Sequence, residues 1–381
     1  MKEVFAIADN IVTPLGFSTR ENAENMLNNM TGIKQISNTQ IAPEPFYASI
    51  IDEDMLNLRL AAFDNPARFT RFEKIMIYSV KDALACTDID TTDEKTLFIL
   101  STTKGNIDLL EKEKMTAFGT ERVNLWHTAR LIKDYFSLPH MPIVVSNACI
   151  SGLLAIIISA RLIRNGMFDN IVINGSDIIT EFVVSGFNSF KSLSTGPCRP
   201  FDKTRDGLSL GEGSGTIILS ANRNLSVDSS PVCIGEGFST NDANHISGPS
   251  RTGEGLLLAI NKVLSVHPAE ISYISAHGTA TPYNDEMESI AFTRAGLHKV
   301  PVNSFKGYWG HTLGAAGVIE SVMAIYSLKN NLLFNTLGFN DPGVSNPISV
   351  INKTIQHKLN NCLKVASGFG GCNAALLFYK A

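Results

Sequence analysis

The sequence predicts an α/β fold made of two similar units, each a sheet covered by helices. Two observations carry that prediction. Around Cys149, an apolar run at 143–145 gives way to Ser146-Asn147-Ala148 and then to a segment, 153–163, that is apolar on nearly every face. A buried strand, a tight turn and an all-round apolar helix make an interior α/β unit. The second half repeats the order: Val302-Asn303-Ser304 leads through Lys306 and His311 to Gly314-Ala315-Ala316-Gly317 and an apolar segment, 318–328. Such units imply sheets with helical layers on their faces. The polar stretch at 225–231 marks the boundary. It gives an N-terminal half, residues 1–230, holding Cys149, and a C-terminal half, residues 231–381, holding His277 and His311.

Taken in order, residues 4–7 read as a strand closed by Thr13-Pro14-Leu15-Gly16, and 20–27 as a helix stopped near Gly32. Residues 33–65 lack periodicity and read as loops with short pieces of structure. Residues 69–84 have helical spacing, with Phe72, Ile75, Met76 and Val80 on one side. A strand at 97–100 precedes the loop Thr102-Thr103-Lys104-Gly105, and another at 171–174 precedes Gly175-Ser176-Asp177. The polar loop Pro200 to Gly207 runs into Gly211-Glu212-Gly213-Ser214-Gly215 and a strand at 216–219. A dinucleotide fingerprint would need a helix after those glycines, so that reading is rejected. In the second half, a strand at 271–275 delivers Ala276-His277-Gly278-Thr279.

Composition narrows the function. A chain of 381 residues, 44% hydrophobic, can bury a large core or two coupled ones. Its net charge of -4, with no basic block, argues against nucleic acid as a partner. The cysteines at 86, 149, 198, 233, 362 and 372 form no Cys-x-x-Cys pair and no metal-ligand spacing, which suggests a reducing compartment. The N-terminus does not read as a signal peptide, and no uninterrupted apolar stretch reaches membrane-spanning length. The expectation is a cytoplasmic protein.

Cys149 is expected where a strand turns into a helix N-terminus. Unpaired N–H groups and the positive dipole end favour a thiolate there, the preparation of a nucleophile. A buried free cysteine is equally a small core residue. His277 and His311, taken singly, fit loop residues beside glycine. Together, two histidines and Lys306 at strand ends with a cysteine at a helix start compose an acyl-transfer site. Zinc fits poorly, because there is no third ligand at workable spacing.

Those residues carry a resemblance. Asn-Ala-Cys-Ile-Ser-Gly at Cys149, His-Gly-Thr-Ala-Thr-Pro at His277, and the run from Lys306 through His311 to Gly317 resemble the β-ketoacyl-acyl-carrier-protein synthases. The match is to their elongating branch, with a Cys-His-His triad. Pro200-Phe201-Asp202, Arg205-Asp206-Gly207, Gly211-Glu212-Gly213 and Gly368-Phe369-Gly370-Gly371 agree with it. The resemblance implies a thiolase-like fold of five layers, α-β-α-β-α, a two-fold dimer and decarboxylative Claisen condensation. It makes Cys149 the acyl acceptor, with its backbone N–H and that of Phe369 as oxyanion hole. It gives His277 and His311 the malonyl-derived enolate, and Lys306, backed by Glu320, an electrostatic role. Thr279 and Thr281 match the threonines that hold a phosphopantetheine arm, which belongs to the substrate; no bound cofactor is implied. Phe369 matches an aromatic gate.

The implied partner is an acidic acyl carrier protein, docked on Arg68, Arg71, Lys74 and Lys191. Arg68 and Arg71, an i, i+3 pair, would meet one face of it. The dimer is expected as a homodimer or as a heterodimer with a related subunit. Three departures bear on the acyl chain: Val365-Ala366-Ser367 where Asn-Ser-Phe is usual, Cys372 for a threonine, and Lys104 near an apolar pocket floor. They leave primary fatty-acid and secondary polyene or polyketide pathways both open. A non-condensing partner subunit and an acyltransferase or thioester hydrolase are the rival readings.

Overall fold

The computed structural model describes residues 2–61, 63, 65–111, 118–226, 231–268 and 270–380. Positions 227–230, at the expected boundary between halves, lie outside them.

Ten strands make the main sheet. In chain order they are β1 (Phe5–Val12), β2 (Thr96–Ser101), β3 (Ile143–Val145), β4 (Asn170–Asp177), β5 (Gly213–Ser220), β6 (Val232–Asn241), β7 (Ile274–Ser275), β8 (Val302–Asn303), β9 (Asn361–Gly368) and β10 (Cys372–Lys380). Their spatial order is β8-β7-β9-β10-β6-β1-β5-β4-β2-β3. Read outward from the β1–β6 seam, the halves match strand for strand. In the N-terminal half, β2 runs parallel to β3 and β4, while β5 is antiparallel to β4 and β1. In the C-terminal half, β7 runs parallel to β8 and β9, while β10 is antiparallel to β9 and β6. The seam is short, pairing Phe5 with Cys233 and Ala6 with Val232. The few sequence identities between halves therefore conceal a full repeat of topology.

Six helices complete the layers: α1 (Arg71–Leu84), α2 (Leu125–Tyr135), α3 (Ser151–Arg164), α4 (Glu254–Val266), α5 (Pro282–Arg294) and α6 (Ala316–Asn330). Helices α3 and α6 pack on each other and each touches strands of both halves, so they form the middle layer. Helix α1 covers β1, β4 and β5 on one outer face, and α4 covers β6 and β10 on the other. Three apolar clusters fill the spaces: one around α3 and α6, one under α1, one under α4 and α5. This is the α-β-α-β-α order. It explains why α3 and α6 are apolar all round while α1 keeps one apolar side: only the middle layer has sheet on both faces.

The middle helices meet at their N-terminal glycines. A Cβ on Gly317 would stand 2.2 Å from the Leu153 backbone nitrogen, and one on Gly152 2.7 Å from that of Val318. Those glycines let the two turns carrying the reactive residues approach each other.

Several elements differ from the sequence reading. Strand β3 is an edge strand with Ile143 40% exposed, not a buried one, because nothing among the described residues pairs with its outer side. Only Ile274 and Ser275 of the 271–275 run pair as strand, while Gly213 and Gly215 lie inside β5, where they make room for Ile319 of α6. Arg68 ends a separate turn, Pro66–Arg68, so it does not share a helix face with Arg71.

Candidate active site

Reactive residues gather where the parallel strands end, the edge at which open α/β sheets place their sites. Cys149 follows β3, His277 follows β7, Lys306 and His311 follow β8, and Phe369 follows β9. One half thus supplies the thiol and the other supplies the histidines.

The Cys149 turn is tightly held. Ala148 sits at φ 44°, a left-handed conformation that costs a non-glycine residue energy and is retained where the surroundings enforce it. Ser151 enforces it: its Oγ accepts from the Asn147 N–H and donates to the Ala148 carbonyl, both at 2.7 Å. Helix α3 begins at Ser151, two residues past Cys149. Cys149 Sγ and one ring nitrogen from each of His277 and His311 lie within 4.8 Å of one another. All three residues are buried, at the base of a cavity of ≈ 390 Å³ that Thr279, Thr281, Lys191, Ser367 and Phe369 also line.

The thiol differs from the sequence expectation. Burial, reinforced by the nearby Cys372, pushes Cys149 up to about 12; Lys306 and the Phe369 N–H oppose this less strongly. The resting residue is therefore a thiol that needs a base, not a standing thiolate.

Both imidazoles have fixed tautomers. Lys306 Nζ stands 2.5 Å from the His277 carbonyl and 3.4 Å from its Nδ1. An ammonium group only donates, so Nδ1 accepts and Nε2 carries the proton. The Leu313 N–H donates to His311 Nδ1 at 3.3 Å, leaving His311 Nε2 as the N–H, buried and unpartnered among the described residues. Burial first, then the charge of Lys306, hold both rings well below the ordinary histidine range. They are neutral at pH 7, each with one N–H to give. Cysteine and two histidines also make a plausible metal donor set, but two ammonium groups behind the rings oppose a cation there.

Lys306 pairs with Glu320 Oε1 at 2.5 Å, and Lys364 takes Oε2 at 2.6 Å. On α5, Glu288 accepts the His277 and Gly278 N–H groups at 2.7 Å each, and Asp285 accepts that of Thr279 at 3.0 Å. Burial, with Asp285 beside it, pushes Glu288 up to about 7. Sequence reading missed Lys364, Glu288 and Asp285. Lys364 had a signal, a lone charge within the apolar run Cys362 to Ala366; the acids look like ordinary surface residues of the first two turns of a helix.

Phe369 stacks on Phe187 with centroids 5.6 Å apart and meets Phe190 edge-on. Among the departures, Ser367 donates to Asn373 Oδ1 at 2.7 Å, and Cys372 Sγ contacts the Phe369 carbonyl at 3.3 Å. Lys104 is exposed over the Phe182 ring, 5.7 Å from its centroid, and does not line the cavity.

The docking set divides. Arg71 pairs with Glu53 and with buried Glu212, and donates to the Ile51 carbonyl. Its charge is consumed inside the chain, which corrects its assignment to a partner surface. Glu212 of the Gly-Glu-Gly stretch is thereby explained as its anchor. Arg68 is exposed, Lys74 is half-buried, and neither lines the cavity; Lys191 is exposed at its mouth.

The N-terminal domain of the β-ketoacyl synthases matches residues 1–224, and their C-terminal domain matches residues 232–340. The chain belongs to the β-ketoacyl synthase family. As such it is an acyl-transferring condensing enzyme of fatty-acid or polyketide chain elongation. This β-ketoacyl synthase is 27% identical to the 3-oxoacyl-[acyl-carrier-protein] synthase 2 of Staphylococcus aureus (strain COL), over all of its own length and 98% of the relative's. It shares its thiolase-like fold with a ketosynthase solved in complex with its chain length factor from Xenorhabdus doucetiae. There the TM-score is 0.83 and the identity 24%, covering 100% and 98% of the two chains. A type II polyketide-synthase acyl carrier protein in complex with its ketosynthase gives a TM-score of 0.86 at 20% identity, covering 99% of each chain. Among the described residues no helix is long and apolar enough to cross a membrane.

Proposed function

We propose that this β-ketoacyl synthase takes an acyl group onto Cys149 and condenses it with malonyl-acyl-carrier protein. The observation that carries this reading is the meeting of one thiol with two neutral imidazoles in a buried cavity. Thioester exchange needs the thiol and an oxyanion hole; two neutral N–H donors matter when negative charge must rest on a carbonyl-derived oxygen.

In the first half-reaction Cys149 sulfur attacks the incoming thioester and its proton passes to the departing carrier thiolate, because both Nε2 atoms already carry a proton. The oxyanion is received by the Cys149 and Phe369 N–H groups, and the carrier thiol leaves with the proton. In the second, malonyl-carrier protein loses carbon dioxide, and its C–C bonding pair becomes an enolate hydrogen-bonded by His277 and His311 Nε2–H. That carbon attacks the Cys149 thioester, the C–S bond breaks, and the β-ketoacyl group stays on the carrier protein. Thr279 and Thr281, hydroxyl to hydroxyl at 2.8 Å on the cavity wall, suit a phosphopantetheine arm.

The carrier protein belongs to this proposal, with Lys191 as the docking charge at the mouth. So does a second copy at the β3 edge, where exposed Met141 and Ile143 stand beside strand backbone whose outer side pairs with no described residue. A related subunit is the other occupant.

Intact-mass analysis of Cys149 and of the carrier protein, with acyl donors and malonyl-carrier protein, tests the reading. The expected result is an acyl adduct on the protein, absent in Cys149→Ala, followed by a β-ketoacyl carrier protein. No adduct would favour a non-condensing subunit, and an adduct released without C–C bond formation would favour an acyltransferase or hydrolase.

A further inference from the structure

Lys364 is a buried charged group to which the proposed reaction assigns no task. It sits on β9, fully buried, in the strand that runs on to Phe369. Its Nζ reaches three acceptors: Glu320 Oε2 at 2.6 Å, the Ala276 carbonyl at 3.2 Å and the Ser275 carbonyl at 3.4 Å. The last two are the carbonyls just before His277. Lys306 holds the other oxygen of Glu320 and the His277 carbonyl. One carboxylate is thus shared by two ammonium groups, and both also grip the backbone that carries one histidine.

Charge counting makes this arrangement informative. A lysine–glutamate pair alone is neutral and casts little field on the site. Two lysines on one glutamate leave a net positive charge; burial makes it costly to keep and lowers Lys364 from its ordinary value, while Glu320 opposes that. A fold that needed only packing there would place an apolar side chain on the strand.

We propose that Lys364 is a positioning residue of the reaction: it fixes the strand end bearing His277 and sets a second ammonium group on Glu320 behind the two rings. This inference rests on the condensing reading given above. The groups facing the two rings are accounted for on every packed element. Lys306, Lys364, Glu320 and Cys149 surround them, and the rings face each other with centroids 5.1 Å apart. Glu288 and Asp285 lie on α5 behind the His277 turn, and Asp177, at the end of β4, accepts the Gly314 N–H beyond His311. The Lys364 charge acts on both rings in the same direction as that of Lys306. Removing it therefore raises their tendency to protonate, and an imidazolium can no longer accept at Nδ1 the Lys306 and Leu313 donors that aim each Nε2–H.

The test compares Lys364→Met and Lys364→Arg with the unsubstituted full chain, following kcat/KM for condensation from about pH 8 down to about pH 4, below the ordinary histidine value of roughly 6.5, because both rings are held well under it. The acid limb of Lys364→Met should move up by about one unit, the scale of a neighbouring charge, while Lys364→Arg keeps it in place. A merely structural lysine would lower the rate equally at every pH; coincident acid limbs would overturn the inference. NMR titration of His277 and His311 in the same variants reads the shift without turnover. An inactive wild-type chain would then sink the condensing reading while leaving the Lys364 charge effect measurable. If Lys364→Met does not fold, carbon-labelled lysine in the unsubstituted protein decides: Lys364 charged at pH 7 supports the inference, and Lys364 neutral there defeats it.

Discussion

Cys149 is a buried thiol pushed up to about 12, beside imidazoles held well below their ordinary range. Between those limits the resting pair is thiol plus neutral imidazole, not thiolate plus imidazolium. Alkylation of Cys149 by iodoacetamide should therefore keep accelerating above pH 8.5, the ordinary cysteine value of roughly 8.5, instead of levelling off near neutrality. A plateau below about pH 7.5, as for thiolates of depressed pKa, would mean that the helix end lowers the thiol after all. The histidines separate by task. His277→Ala or His311→Ala should slow malonyl-carrier-protein decarboxylation by about a hundredfold or more, the usual scale for a lost acid–base or donor group, while Cys149 still acquires an acyl adduct. Unchanged decarboxylation, measured as carbon dioxide release, would remove them from the enolate.

At the scale of elements, the site depends on how closely α3 and α6 approach. Gly317→Ala would drive a methyl group into the Leu153 backbone and should cost about 1–3 kcal/mol in denaturant unfolding, with partial loss of activity. Gly186→Ala is the control: it lies in the helix Glu181–Ser189 with open space around it and should be neutral or stabilising by up to about 1 kcal/mol. Equal effects would mean that the close contact carries no particular weight. Arg71 belongs at this scale too. Arg71→Glu sets a carboxylate against buried Glu212 and should destabilise by about 3–5 kcal/mol, the cost of breaking a buried pair. Any loss of carrier-protein affinity in that variant would follow from misfolding rather than docking.

For the whole molecule the predictions concern partners. Lys191→Glu should raise the KM for acyl-carrier protein several-fold and weaken its salt dependence, leaving a small acyl-pantetheine thioester nearly unaffected. An equal loss with both substrates would place docking elsewhere. At the β3 edge, sedimentation should give twice the mass of one chain, and Ile143→Glu should shift it toward monomer by setting a charge on the edge. A monomeric unsubstituted chain would refute the proposed dimer.

The sequence by itself determined the two-unit α/β plan and singled out the candidate site residues that the fold brings together. Both are written locally: strand, small-residue turn and all-round apolar helix around Cys149, and again from Val302 to Leu328. Cys149, His277, Lys306, His311 and Phe369 stand in motifs of adjacent residues, so no three-dimensional information was needed to find them. What those groups are chemically was decided by tertiary structure. The pull of a helix end on Cys149 is readable from sequence, but the desolvation that outweighs it comes from packing distant segments around the sulfur. Arg71 looks like a free surface charge until residues 53 and 212 fold against it. Lys364 becomes part of the site only because β9 pairs with β7, far away in the chain, and lays its ammonium group on Glu320. Charges and burial are sums over neighbours, and those neighbours are long-range contacts that a linear pattern does not contain.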